Sequence, residues 1–140
     1  MSVRYFALIF GIFYLLVGIA GLIPGPLQQA SGNAPALTLD VLYGYVLGLF
    51  PVNILHTLVH LAVGAWGVLA YRSYAASRRY AQFAGVFFLV LALMGVIPGL
   101  NTVFGLLPLH GSDVLLHLVS GLPGLVFGFI SPRAPAVGRA

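Results

Sequence analysis

The sequence predicts an all-α integral membrane four-helix bundle built from a duplicated helical hairpin, and three observations predict it. The 140-residue chain is 61% hydrophobic and only 6% charged, with a mean hydropathy of +1.08. A soluble domain carries roughly a quarter charged residues, and a surface this poor in charge would not stay dispersed in water. At ~20 apolar residues per span, the length accommodates four helices with short connections. Finally, two long stretches each recur later in the chain without gaps. The absence of cysteine excludes disulfides and thiolate metal sites.

The first span runs from about 5 to 23 and stops at Pro24-Gly25-Pro26. Residues 26–40 form the only long polar stretch and read as a loop. Residues 41–50 are apolar but too few to cross, so they read as an interfacial or re-entrant piece. The second span, about 52 to 71, is opened by Pro51 and capped by Asn53. Arg72, Arg78 and Arg79 occupy the next turn. The third span covers about 80 to 97 and again ends in Pro-Gly, at Pro98-Gly99. The fourth runs from about 113 to 130, with Ser112 or Asp113 as its cap. Pro123 lies inside it and removes the bond to the Val119 carbonyl, which predicts a kink. Trp66 in the second span reads as a lipid- or core-packing residue.

The net charge of +4 comes from six arginines and no lysine. Arg4, the Arg72/Arg78/Arg79 group, and Arg133 with Arg139 all fall on one side of a four-span chain. The connections on the other side carry only Asp40 and Asp113. A basic balance can mark a nucleic-acid partner, but arginines confined to loops and termini are explained by topology instead, with both termini cytoplasmic. Tyr5, Tyr71, Tyr74 and Tyr80 lie beside the arginines and read as interfacial anchors.

The repeat is visible without gaps. "GIFYLLVGIAGLIPG" (11–25) aligns on "GVFFLVLALMGVIPG" (85–99), and "VLGLFPVNILHTLVHLAVGAWG" (46–67) aligns on "VFGLLPLHGSDVLLHLVSGLPG" (103–124). Repeat one is about 5–71, repeat two about 80–130, and 131–140 is a polar tail. Because the N-terminal run is copied as a mid-protein span, it is expected to be retained rather than cleaved. Two spans per copy insert both copies in the same direction, which implies a pseudo-twofold axis along the membrane normal.

The alignment pairs His60 with His117, His56 with Asp113, and Asn53 with His110. At 100° per residue, His56, His60, Gly64 and Gly67 share one stripe of the second span, and Asp113, His117, Gly121 and Gly124 share one of the fourth. Glycines at such spacing let membrane helices approach closely, so the polar residues are expected to point into the bundle, His60 facing His117. His60 lies ~10 Å below the outer end of its helix at 1.5 Å per residue. The cluster is therefore expected in the outer half, reachable from that side, with Asn53 and His110 at its mouth.

An ionisable residue in a span is a functional hypothesis by default, and several readings compete. One is a metal site: His56, His60, Asp113 and His117 supply three nitrogens and a carboxylate, a set suited to zinc or another divalent metal. A second is a tetrapyrrole, with His60 and His117 as axial ligands to haem b or another ring and the glycines making room for it. Proton relay is a third, but no ionisable residue continues the path inward. Against these stands simple interhelical hydrogen bonding by an accessory subunit of a larger membrane complex, or of a homodimer packed on the glycine faces. HxxxH alone is a weak motif and lacks the metalloprotease glutamate, Thr57 following His56. A metal-dependent enzyme acting on lipid would need an open coordination position, and no catalytic residue is assigned.

"LFPVNILHTLVHLAVGAWG", the upstream "GIFYLLVGIAGLIPG" and the downstream "DVLLHLVSG" resemble a family of small bacterial four-span membrane proteins, domain of unknown function 4383. The resemblance covers about 5 to 130. It implies a four-helix bundle in a bacterial plasma (inner) membrane and no known activity. The positions matching its motif are His56, His60, Asp113 and His117.

Overall fold

Among the described residues, the apolar runs fold into four helices. The computed structural model describes residues 1–30, 32 and 34–131; Arg133, Arg139 and all of the expected tail but Ser131 lie outside the described residues. Helix α1 is Val3–Ala20, α2 is Ile54–Ala70, α3 is Tyr74–Val96 and α4 is Ser112–Leu125, continued by a π-helical segment, Val126–Ile130. Val3–Ala20, Tyr74–Val96 and Ser112–Ile130 are long and apolar enough to cross a membrane, whereas α2 is apolar but has 17 residues. Large apolar side chains such as Leu16, Leu58, Leu93 and Leu115 face outward while His, Asp and Ser side chains are buried. That inverted distribution belongs to a bundle solvated by lipid. The chain is a small membrane protein.

Several expectations need correction. The fold is not all-α. Strands β1 (Leu27–Gln29), β2 (Gly44–Val46) and β3 (Phe50–Val52) form an antiparallel sheet in the order β1-β2-β3. Residues 41–50 make no helical dip; they supply β2 and the turn into β3, where Leu47 and Gly48 take φ of 55° and 70°. Pro51 and Val52 belong to β3, so α2 starts at Ile54. Asn53 does cap it, its side chain accepting from the His56 N–H at 2.9 Å. Helix α3 starts at Tyr74 because Ser73 caps it, accepting from the Ala76 N–H, and this takes Arg78 and Arg79 into the helix. Tyr80 is fully buried against Phe6 and Trp66 rather than anchoring an interface. Tyr5 and Tyr71 do pair at that end, with Arg4 stacked over Tyr71 and donating to its carbonyl. Neither Ser112 nor Asp113 caps α4: the chain enters it through Gly111 at φ 65°, and Asp113 is turned into the core. The helix continues through Pro123 and widens to π geometry one turn later.

Glycine contacts set the helix spacing. A Cβ on Gly11 would lie 2.5 Å from the Val68 nitrogen of α2, and one on Gly85 would lie 2.5 Å from the Leu125 nitrogen of α4. Thus α1 packs on α2 and α3 on α4, backbone to backbone. The two pairs meet through aromatic rings: Tyr14 stacks on Phe88 at 4.6 Å, and Phe6 packs on Tyr80 and Phe127.

The sheet and the connection over 97–111 cap one end of the bundle. Asn53 joins them, its Nδ2 donating to the Leu39 and Leu106 carbonyls at 2.8 and 2.7 Å. The Thr38 and Leu39 N–H groups both donate to the Gly105 carbonyl. Val103, Phe104 and Gly105 are consecutively left-handed, which folds this connection back over the helices.

Gly85→Val is expected to cost about 1–3 kcal/mol by overpacking, read as a lower Tm in detergent; Leu93→Ala on the outer face stays within about 0.5 kcal/mol. Asn53→Ala removes a cap (~1 kcal/mol) and the donor to two part-buried carbonyls, so a loss of about 1–2 kcal/mol is expected by the same measurement. Asn53→Asp keeps the cap, loses both donors and falls between.

Candidate metal centre

His56 and His60 sit one turn apart on α2 because the Asn53 cap fixes where the helix begins. His117 projects from α4, and Gly64, Gly67, Gly121 and Gly124 draw each helix against its neighbour. The stripe arithmetic holds, since His56, His60, Asp113 and His117 are all 0–1% exposed. His56 and His60 have ring centroids 4.4 Å apart, and His56 and His117 5.7 Å. One nitrogen from each of His56, His60 and His117 lies within 4.8 Å of the others. Asp113 lies outside that group of three. Its Oδ2 is 3.3 Å from His117 Nδ1, one turn back on the same helix.

The walls are aromatic and apolar. Tyr14 packs on His60 at 5.3 Å, and Phe88 stacks on His117 at 5.4 Å. The Tyr14 hydroxyl donates to Ser120 Oγ at 2.6 Å. All six imidazole nitrogens of the trio, and both Asp113 oxygens, are buried without a well-formed hydrogen bond. In a low-dielectric setting, leaving such lone pairs poorly paired is costly.

The sequence places the trio well and its access poorly. The cluster does not open to the capped side, because Val52, Asn53 and Leu109 are fully buried between it and the surface. Asn53 is a structural tie rather than a residue at a mouth. His110 stands further out, its Nε2 3.4 Å from the Tyr43 hydroxyl and its ring edge-on to Tyr45. Burial lowers the His110 pKa, favouring the neutral ring. Burial first, then Tyr45, pushes Tyr43 up to about 12, so at neutral pH it stays a hydroxyl and donates to the Pro35 carbonyl.

Tyr14, Phe88 and Ser120 escaped the sequence reading as parts of the site. The alignment carried the signal, since it pairs Tyr14 with Phe88, but two aromatic rings among many attract no notice. The glycine faces do not leave space for a planar ring. A Cβ on Gly64 would meet Leu15 at 2.6 Å, one on Gly121 would meet Leu89 at 2.6 Å, and Gly67 and Gly124 face Gly11 and Gly85.

Comparison with curated proteins and with solved structures finds no match. One family model, described as Domain of unknown function (DUF4383), matches residues 4–130, which take in nearly all of the four helices, the sheet and the histidine cluster. The chain belongs to the DUF4383 family.

Proposed function

We propose that this small membrane protein is a metal-binding module in which His56, His60 and His117 hold one divalent ion of the zinc class. The convergence of three fully buried imidazoles, one nitrogen of each within 4.8 Å of the others, carries the reading. A buried polar group left unpaired costs ~1–3 kcal/mol, and a bound cation takes one lone pair from each ring. Closing a spread of 4.8 Å onto one ion with bonds of ~2.0–2.1 Å needs small ring movements. Asp113 stands behind His117 as the carboxylate that fixes its tautomer and presents Nε2 to the ion. Its negative charge also offsets part of the ion's.

Two competing readings have less support. Interhelical hydrogen bonding by an accessory subunit has less support, since the His60 ring nitrogens find no hydrogen-bond partner among the described residues. Tetrapyrrole ligation by His60 and His117 lacks its room, the glycine faces being covered by helix backbone.

We also infer two copies of one hairpin, related by a pseudo-twofold axis along the membrane normal. Support comes from contacts that recur at aligned positions. Gly64 packs on Leu15 as Gly121 does on Leu89, Gly21 on Thr57 as Gly95 does on Val114. His60 rests on Tyr14 as His117 does on Phe88. Four spans with both termini cytoplasmic are what that arrangement and the arginine distribution support, and a bacterial inner membrane is the setting the family resemblance implies.

Purified protein titrated with zinc is expected to bind one equivalent per chain, with His60→Ala abolishing binding and Asp113→Asn weakening it 10–100-fold. Zinc-free protein whose histidine variants lose only stability would leave the helix-bonding reading standing. Reporter fusions are expected to place both termini in the cytoplasm and an insertion after Gly32 outside; a reporter active outside at either terminus contradicts the topology.

A further inference from the structure

The two seams between the helix pairs are not alike. Between α2 and α3 the gap is filled by a ladder of rings: Trp66 packs edge-on to Tyr80 at 5.4 Å and against Phe83 at 5.0 Å, and Phe83 stacks on Phe87 at 5.2 Å. Between α1 and α4 the corresponding space is open. The sequence alignment puts Pro123 at the position of Trp66 and Ile9 at that of Phe83, so no ladder forms there. Helices α1 and α4 barely meet along their lengths; they are joined at mid-height by the Tyr14–Ser120 hydrogen bond and near the foot, where Phe6 stacks on Phe127 at 5.0 Å.

The result is a cleft of about 230 Å³ between Ile9, Phe10 and Phe13 of α1 and Leu116, Val119 and Ser120 of α4. A second cleft, of about 370 Å³, shares Leu116 and Val119 and extends along α4 to Ser112, Leu49 and Phe50 beside β3. Together they form one track from the cap to the middle of the bundle, ~12 Å from Ser112 to Ser120 at 1.5 Å per helical residue. Its sides are continuous with the outward-facing apolar surface, since Ile9, Phe13, Leu49, Leu115 and Val119 are all exposed. The inner end is polar, where Ser120 accepts the Tyr14 hydroxyl, and Tyr14 is the ring on which His60 rests.

We propose that the open α1/α4 seam is a binding groove for one acyl chain of a lipid in the leaflet on the capped side. The groove is apolar along its walls and open sideways to the bilayer, and its volume and length suit an alkyl chain entering laterally from a neighbouring lipid. The headgroup then lies by Leu49 and Ser112, and the chain runs inward along Leu116 and Val119 toward Ser120. This rests on the seam geometry alone and holds whether or not the histidines bind a metal.

The test is intact-protein mass spectrometry in detergent after graded delipidation. Wild type is expected to retain one phospholipid per chain, and Leu116→Trp and Val119→Trp to retain at least tenfold less. Ala62→Trp, at the position aligned with Val119 but on the closed seam, retains it. Circular dichroism and Tm identify any variant that has not folded. For that event, Trp66→Phe supplies a background without tryptophan in which Phe13→Trp and Leu93→Trp are compared. One equivalent of phospholipid brominated on its chain, added in detergent, is expected to quench the tryptophan at 13 and spare the one at 93. The proposal is overturned by wild type that retains no lipid, by equal retention in the groove variants, or by equal quenching at both positions. A lipid-free dimer that dissociates in the groove variants also overturns it and makes a second copy the occupant.

Discussion

Everything in this bundle depends on how closely the helix backbones approach. In lipid there is no hydrophobic gain from pressing one apolar helix on another, so association comes from close packing over small residues. Gly11 against Gly64 and Gly67, and Gly85 against Gly124, remove the side chains that would hold the axes apart. Once α1 lies on α2 and α3 on α4 at that distance, Tyr14 and Phe88 are carried into the centre and stack there. The imidazoles have nowhere to go but the remaining interior volume. The site is thus a by-product of glycine placement in its geometry, even though its chemistry belongs to the histidines.

That dependence explains what could be read in advance. Periodicity decides which face of a helix turns inward, so the burial of His56, His60, Asp113 and His117 was legible from their spacing with the glycines. Distance within a face is a tertiary property. Nothing in the spacing of His56 and Asp113 says that one joins a group of three while the other stands behind His117. The cap was the least legible part. Residues 41–50 look like a membrane segment by composition, and only pairing with residues 27–29 and 50–52 makes strands of them. Tyr80 misled for a related reason: proximity to arginine in sequence suggested an interface, but the Ser73 cap starts α3 early enough to put that ring in the core.

The site and the seam differ in their relation to solvent. Toward the cap, the trio is closed by the cross-links of Asn53 and by Leu109. Toward the bilayer, Ser120 lines an apolar cleft and accepts from Tyr14, the ring on which His60 rests.

The π-helical segment after Pro123 bears on how such a chain can vary. A π turn holds one more residue than an α turn over the same rise, the signature of a single insertion taken up without breaking the helix. Here it lies at the foot of α4, where Gly128 packs on Gln82 and its carbonyl receives the Gln82 amide. The extra residue turns the last side chains to new directions while the helix above keeps its phase. The foot can therefore lengthen, shorten or rotate in related chains without disturbing the histidines two turns higher.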